Sequence, residues 1–159
     1  MSRDRIDQVL YVASTPAAVW DALTNPDVTQ RYWFGTRIES DWKVGSKVRY
    51  LVNGKLTDEH TVLAVAPPRT LSHSFHPVFT DEYRAERPSR VTFTIEHSGE
   101  VVRLTLVHDD FPPNSQVFVA CCSGWPMILN NLKTLLETGE PLPAFEFPQQ
   151  PIGSTHQTL

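Results

Sequence analysis

The chain has 159 residues, of which 40% are hydrophobic and 20% are charged, with a formal net charge of -4. This length predicts one domain that can bury a sizeable core. The acidic balance and the lack of a Lys or Arg cluster argue against a nucleic-acid partner, and no apolar run is long enough to span a membrane. The N-terminus lacks the apolar stretch of a secretory signal. The adjacent Cys121 and Cys122 cannot form an ordinary structural disulfide, so a cytoplasmic location is predicted.

The N-terminal segment predicts one strand followed by a pair of short helices. Residues 7–12 have the composition of a strand. Ser14-Thr15-Pro16 then supplies a helix start, with Ser14 or Thr15 as the N-cap and proline in the first turn. Asn25-Pro26 ends this helix, since the residue before a proline disfavours helical backbone. A second helical piece over residues 27–32 leads into the aromatic pair Trp33-Phe34.

Residues 36–109 predict an antiparallel meander of strands. Asn53-Gly54 is a strong signal for a two-residue hairpin turn, and Ser98-Gly99 is read as a second one. The second turn pairs Ile95 with Val102 and places the apolar residues of both strands on one face. The connection between Pro77 and Pro88 is long for a compact domain, which suggests a functional loop.

Alternation along the strands places a few polar side chains on the apolar, inward face of this sheet. Tyr50, Glu59 and His73 are predicted to point inward, and the strands of Glu59 and His73 are joined by the Pro67-Pro68 turn. A buried carboxylate or imidazole needs a hydrogen-bonding partner or nearby water. Two interpretations follow. The pair is either a dyad that serves as general base or ligand anchor, or a solvated glutamate beside a histidine bonded to a backbone carbonyl.

Two further histidines continue the apolar faces of the last hairpin. His97 borders the turn, where we expect exposure to solvent, and His108 is interpreted as a structural residue that ties the strand end to the last helix. No catalytic residue is assigned beyond Glu59 and His73 as candidates. The sequence contains no Gly-rich phosphate loop, no Cys-x-x-Cys and no His-Glu-x-x-His, so neither a cofactor nor a metal is expected.

The longest helical segment covers residues 114–139 and is the one large element that can cover the apolar face of the sheet. Pro126 lies inside it and cannot donate a backbone hydrogen bond. A kink or a restart of the helix is therefore predicted near Cys122 to Gly124, where Ser123 could cap a restarted helix. The alternative is that only the first turns of the helix are irregular. Residues 141–159 are rich in proline and are predicted to form an extended or disordered tail.

The order of strand, helix pair, meander and long final helix resembles the helix-grip fold of the START and Bet v 1-like (SRPBCC) superfamily. Five segments are similar to its branch named for the activator of Hsp90 ATPase homologue: ASTPAAVWDALTNPD, RYWFG, VLAVAPPRTL, RVTFTIEHSGEVVRLTLVHDDF and GWPMILNNLKTLLETG. The resemblance implies an α+β fold in which a curved antiparallel sheet of six to seven strands wraps around a long C-terminal helix, with two short helices after the first strand. It assigns residues 1–140 to a single domain and 141–159 to the tail.

The resemblance and the inward polar groups together predict a cavity between the sheet and the final helix that binds a small, largely hydrophobic ligand. Glu59, His73 and Tyr50 would be its polar handles, and aromatic and aliphatic side chains would form its walls. The predicted ligand-binding residues are Trp33, Phe34, Tyr50, Glu59, Leu63, His73, Phe75, Phe93, Leu104, Trp125 and Leu129.

Two alternatives stay open. The first is a cyclase- or hydrolase-like enzyme acting on an aromatic or polyketide-like substrate in the same cavity, which requires Glu59 and His73 to lie close together. The second is a chaperone-associated interaction domain, which the branch name implies and which ranks below the others because that role belongs there to a two-domain protein. The expected assembly is a monomer or a homodimer.

Overall fold

The computed structural model describes residues 4–146, which contain seven strands and four helices. No helix within that part of the chain combines the length and apolar character needed to cross a membrane. In chain order the elements are β1 (Ile6–Val12), α1 (Pro16–Thr24), α2 (Pro26–Tyr32), β2 (Thr36–Ser40), β3 (Lys47–Val52), β4 (Lys55–Ala66), β5 (Thr70–Phe75), α3 (Asp81–Ala85), β6 (Ser89–Ser98), β7 (Val101–Asp109) and α4 (Gln116–Thr138).

The strands form one antiparallel sheet with the order β1-β7-β6-β5-β4-β3-β2. Strands β2 to β7 follow one another as a meander, while α1 and α2 carry the chain from β1 to the far edge. Thr15, one of the two N-cap residues that the sequence offered, caps α1 by accepting a hydrogen bond from the Ala18 amide at 3.2 Å. This architecture confirms the predicted helix-grip fold, in which the sheet and α4 enclose the core.

The β6–β7 hairpin has the predicted faces but a different register. Ser98 pairs with Val101, so the turn is Gly99-Glu100 and Ile95 lies opposite Leu104 rather than Val102. The shift amounts to two residues, which keeps every side chain on its predicted face because side chains alternate with a period of two. Its consequence is that His108 lies opposite Val91 rather than opposite Ser89.

Helix α4 runs from Gln116 to Thr138 without interruption, and the predicted restart at Ser123 is wrong. Its N-cap is Ser115, whose hydroxyl accepts from the Phe118 amide at 3.0 Å, and its C-cap is Gly139, in the left-handed conformation with φ 87°. Pro126 removes one internal bond, but the two caps and the packing of the inner face against the sheet maintain one helix.

The loop between β5 and β6 is attached to the N-terminus of α4. The Glu86 carboxylate accepts from the Ser115 hydroxyl at 2.6 Å and from the Gln116 amide at 2.7 Å. A carboxylate at this position also interacts favourably with the positive end of the helix dipole. The Arg87 guanidinium donates to the carbonyls of Asp110 and Phe111. The segment that sequence length alone suggested to be functional is therefore anchored to the helix that covers the sheet.

Side chains from helices satisfy backbone groups at both edges of the sheet. At β1, Lys133 donates to the Tyr11 carbonyl at 2.7 Å, and Glu137 accepts from the Ala13 amide at 2.8 Å. At β2, the Thr29 hydroxyl of α2 donates to the carbonyl of Thr36 and accepts from the amide of Ile38. These bonds occupy backbone groups that would otherwise point away from the sheet.

The inner face of α4 changes character along its length. The buried residues of its N-terminal half are mostly small and include Ala120, Cys121 and Gly124, whereas the C-terminal half presents Ile128, Leu129, Leu132 and Leu135. Larger side chains fill the C-terminal half of the interface. The space opposite the small residues must be filled by large side chains of the sheet or by a ligand.

Part of the predicted tail packs on the domain. Asn131 in α4 donates to the Tyr32 carbonyl and accepts from the Leu142 amide at 2.7 Å, and the rings of Phe34 and Phe145 meet at 5.6 Å. Residues 141–146 have no regular secondary structure. Residues 147–159 of the predicted tail lie outside the described part of the chain, so the domain boundary at residue 140 stays a prediction.

Candidate functional site

Four carboxyl or imidazole side chains are buried on the inner face of the sheet. Asp58 and His60 lie on β4, His73 on β5 and His108 on β7, and none of the four is more than 3% exposed. Burial of this many ionisable groups in an interior is costly unless each one finds a partner. Their hydrogen bonds therefore distinguish structural groups from a candidate site.

Asp58 and His60 point inward because β4 contains an irregularity that the sequence pattern did not show. Tyr50 lies opposite Asp58, but the next residue of β3, Leu51, lies opposite Leu56, so Thr57 is an additional residue in β4. One additional residue reverses the alternation of side chains. The predicted inward position of Glu59 is therefore wrong.

Glu59 and His73 do not form the predicted dyad. The Glu59 carboxylate lies on the outer face of the sheet, where it contacts the Arg49 guanidinium at 3.4 Å. His73 is buried, and its Nδ1 lies 2.7 Å from the Ser74 carbonyl oxygen, so Nδ1 carries the proton and donates it. This arrangement matches the second interpretation of the sequence, a solvated glutamate and a histidine bonded to a backbone carbonyl.

His108 has a partner for each ring nitrogen. The Trp125 indole N–H donates to His108 Nδ1 at 3.0 Å, so the proton of the neutral ring lies on Nε2 and is donated to the Ser89 hydroxyl at 2.7 Å. This chain of bonds joins β6, β7 and α4. His108 is thus the structural link between strand end and final helix that its position predicted.

The Asp58–His60 pair is incomplete by comparison. Among residues 4–146, three buried side-chain atoms have no hydrogen-bond partner: Asp58 Oδ2, His60 Nε2 and Thr105 Oγ1. The first two lie 3.6 Å from each other, beyond the length of a hydrogen bond. Native interiors contain few such atoms, and each one requires an explanation.

The tautomer of His60 is fixed by its neighbour. The His76 backbone amide donates to His60 Nδ1 at 2.8 Å, so the proton of the neutral ring lies on Nε2. Nε2–H is therefore a donor, and it lies beside a carboxyl oxygen that has no donor of its own among the described residues.

Burial favours the neutral forms of both Asp58 and His60. It raises the pKa of Asp58 to about 7, against a smaller opposing effect of the Thr57 hydroxyl. Burial and the neighbouring His73, His108 and His76 hold the pKa of His60 well below its usual value of 6.5. At neutral pH the pair therefore consists of a neutral imidazole and a carboxyl group that is partly protonated.

Aromatic rings surround the pair. Tyr50 meets the His60 ring edge-on at a centroid distance of 4.5 Å, and Phe75 stacks on it at 4.7 Å. Trp33 contacts Tyr50 at 5.5 Å and Trp125 at 5.6 Å. The incomplete polar pair thus lies in an otherwise apolar, aromatic environment.

Most of the predicted wall residues are in the interior, and three are not at its centre. Leu63 is 46% exposed, because the extra residue at Thr57 reverses the alternation and places Leu63 on the outer face with Glu59. Phe34 is half-buried against Phe145, and Glu59 faces outward. The buried predicted residues are Trp33, Tyr50, His73, Phe75, Phe93, Leu104, Trp125 and Leu129.

The sequence prediction missed Asp58 and His60. Their spacing of two residues places them on one face, followed by Val62, and this pattern was the available signal. It competed with the equally regular set Thr57, Glu59 and Thr61, and the choice depended on a bulge. No group of three or more metal-ligating side chains occurs in residues 4–146.

The fold and the polar groups beneath α4 define a helix-grip domain of the START and Bet v 1-like class. The model of the family described as "Activator of Hsp90 ATPase homolog 1-like protein" matches residues 13–137, so the chain belongs to this family. No curated protein matches the chain.

Solved structures share the fold at low sequence identity. The Aha1 dimer from Colwellia psychrerythraea is 20% identical, with a TM-score of 0.69 over 85% of this chain and 97% of that one. An HSP90 activator from Plasmodium falciparum is 19% identical, with a TM-score of 0.69 over 83% and 95%. DynU16, a putative protein in the dynemicin biosynthetic locus, is 22% identical, with a TM-score of 0.69 over 88% of this chain and 49% of that one.

Proposed function

We propose that the protein binds a small, largely apolar molecule with one polar head group, between the inner face of the sheet and the N-terminal half of α4. Asp58 and His60 would hold the head group. The observation that carries this proposal is the pair of buried, unpartnered atoms Asp58 Oδ2 and His60 Nε2, 3.6 Å apart among aromatic rings. A ligand that pairs with both atoms removes the cost of leaving them unpaired.

The change in side-chain size along α4 supports the same location. Its small residues Ala120, Cys121 and Gly124 are buried in the half of the helix that precedes Trp125. Burial is the main cause of the raised pKa of the Cys121 thiol, and the Asp58 carboxyl adds to it, which supports this location. Affinity would come mainly from burial of the apolar part of the ligand, at roughly 25 cal/mol per Å².

The relatives support a small molecule without identifying it. One fold neighbour is a putative protein in the dynemicin biosynthetic locus, a setting of small-molecule chemistry. The Hsp90-activator family description favours a protein partner instead, and the Colwellia neighbour, a dimer, agrees with a homodimer here. The buried pair has no role in a surface contact with another protein, so we rank ligand binding first. The free thiols of Cys121 and Cys122 fit a reducing cytoplasm.

A thermal-shift screen tests the proposal. The wild-type chain is screened against fatty acids, polyketide-like aromatics and heteroaromatic compounds, and we expect at least one class to raise the Tm, because a ligand that binds only the folded state stabilises it. The Asp58→Leu variant should lose that response. Glu59→Gln, a change at the adjacent but outward position, should keep it. A Tm that no class moves, or an equal response in the Asp58→Leu variant, would contradict ligand binding at this pair.

A second candidate function is proton-transfer catalysis on such a ligand. The originally predicted Glu59–His73 pair does not assemble, but Asp58 is a carboxyl group with a pKa of about 7 beside an imidazole N–H. A group with a pKa near the working pH is suited to act as a general base. Exchange of α-protons for deuterium in an enolisable aromatic ketone such as 2-tetralone, followed by NMR, tests this. Exchange that is no faster than with Asp58→Leu would eliminate it.

A further inference from the structure

We propose that the head group recognised by Asp58 and His60 is the edge of a cis amide, as in a lactam or a cyclic imide. The ligand carbonyl oxygen would accept from His60 Nε2–H, and the adjacent ligand N–H would donate to Asp58 Oδ2. This inference deepens the proposed function and rests on it.

The donor and acceptor roles are set by the protein. Because the His76 amide occupies Nδ1 of His60, Nε2 presents a hydrogen and cannot accept one while the ring is neutral. The ionised Asp58 carboxyl offers only acceptor oxygens, and Oδ2 is the one without a partner among the described residues. The pair therefore presents a donor, His60 Nε2–H, beside an acceptor, Asp58 Oδ2. A ligand that satisfies both atoms must carry an acceptor beside a donor.

The 3.6 Å distance between Nε2 and Oδ2 selects among ligands with that complement. The oxygen and nitrogen of a cis amide are about 2.3 Å apart across one carbon atom. Two nearly parallel hydrogen bonds of about 2.9 Å can then reach Nε2 and Oδ2 with little splay. A single hydroxyl oxygen at about 2.8 Å from both atoms would have to bond them at an angle of about 80°, which is poor geometry.

When Asp58 is ionised, the charge pattern disfavours the common ionic head groups. A ligand carboxylate would then satisfy Nε2–H but would place a second negative charge beside Asp58 in a buried site. A ligand ammonium would pair with Asp58 but would leave the His60 donor unpaired. A neutral group with both functions leaves neither atom unpaired.

The rings that stack on His60 define the plane in which its Nε2–H can bond a ligand. The His60 ring stacks on Phe75 with an interplanar angle of 14° and on His73 with an angle of 22°. An N–H donor directs its hydrogen bond in the plane of its own ring, so an amide bonded to His60 would lie close to that plane. An aromatic lactam can hold this position and still contact neighbouring aromatic faces.

Two matched probes test the inference. 2-Quinolinone carries the cis-amide edge on an aromatic body, and 1-methyl-2-quinolinone keeps the carbonyl but lacks the N–H. At pH 8.5, where Asp58 is ionised, isothermal titration of the full chain should show that 2-quinolinone binds at least tenfold more tightly. In the NMR spectrum 2-quinolinone should shift the His60 Nε2–H resonance.

Variants assign the preference to the pair. Asp58→Leu should abolish the discrimination between the two probes, and Glu59→Gln should preserve it. Equal affinity of the wild-type chain for both probes, or no binding of 2-quinolinone, overturns cis-amide recognition. The proposed function fails separately, when no class in the thermal-shift screen raises the Tm.

Discussion

His108 and His60 are equally buried beneath the same helix, yet their surroundings differ. The ring of His108 donates to Ser89 and accepts from Trp125, so its polar atoms are satisfied and three elements are joined. The ring of His60 has one satisfied nitrogen, and the other lies beside an unpartnered carboxyl oxygen of Asp58. A completed polar network rigidifies a core. An incomplete one reduces stability and marks a position where a bound molecule can supply the missing partners.

The largest expected effect is a stabilisation by Asp58→Asn at high pH. Burial raises the folded-state pKa of Asp58 from 3.8 to about 7, so its contribution to stability is full below pH 3.8 and is lost as the pH rises toward 7. The loss is complete above pH 7 and corresponds to up to about 4 kcal/mol. Urea denaturation at pH 8.5 should therefore show Asp58→Asn to be the more stable protein. Equal stability of the two proteins at pH 8.5 would mean that the ionised Asp58 carboxylate has a stabilising partner in the folded protein.

The next effect concerns the wild-type chain in acid. Burial lowers the pKa of His73 to about 4 and that of His108 to about 3, and it lowers that of His60 as well. The unfolded chain binds protons at these histidines below pH 6.5 while the folded chain does not, so stability falls as the pH decreases. Asp58 opposes this fall, because its folded form takes up a proton between pH 7 and pH 5.

We expect the free energy of unfolding to decrease by about 3 kcal/mol from pH 7 to pH 5, the effect of three histidines less that of one carboxyl group. The same urea titrations performed on Asp58→Asn should show a steeper decrease, because the opposing group is absent. A wild-type stability that rises toward pH 5 would show that the histidines are not held neutral.

A smaller effect on the free energy of unfolding is expected when one hydrogen bond is removed from the Ser89–His108–Trp125 network. Ser89→Ala removes the acceptor of the His108 Nε2–H and leaves that buried donor unpaired, which should destabilise the fold by about 1–2 kcal/mol. Ser98→Ala on the same strand is the matched control, because Ser98 is exposed and should change stability little. Equal effects of the two changes in urea denaturation would remove the distinction between the two histidines.

The smallest effect is expected at Glu59, next to both members of the incomplete pair. Its carboxylate is an outward group that contacts Arg49 at 3.4 Å, and exposed ion pairs contribute little to stability. Glu59→Gln should therefore change the free energy of unfolding by less than about 0.5 kcal/mol. A change above about 1 kcal/mol would indicate that Glu59, as the strand pattern first suggested, reaches the interior.

The sequence was sufficient for the architecture and for one of the two histidines. Hairpin signals, the Thr15 cap and the apolar pattern of α4 are local features, and each formed the element it predicted. The inward position of His108 could be predicted because the alternation in β7 is regular. A shift of the hairpin register by two residues leaves His108 on the same face. Only its partners Ser89 and Trp125 required the three-dimensional structure.

The site was less predictable because it depends on irregular backbone. The extra residue at Thr57 turns Asp58 and His60 inward and Glu59 outward, and the second irregularity, at Leu63, restores the original phase in time for Val65. Thr57 and Thr61 are β-branched residues that favour strands, so the set Thr57, Glu59 and Thr61 was as plausible an inward face as the set Asp58, His60 and Val62. Pro126 shows the reverse case: a strong local signal for a break was overridden by the caps and packing of a 23-residue helix.

The bonds at the two sheet edges have a consequence for how copies of this protein can associate. An unprotected edge strand can recruit a strand from another molecule, which extends the sheet and leads to dimers or aggregates. Here Lys133 and Glu137 bond the backbone at Tyr11 and Ala13, at the C-terminal end of β1, and Thr29 bonds the backbone at Thr36 and Ile38 of β2. A second chain could add at these positions only after displacing the side chains. A homodimer built by extending the sheet along the full length of β1 or β2 would therefore lose these hydrogen bonds.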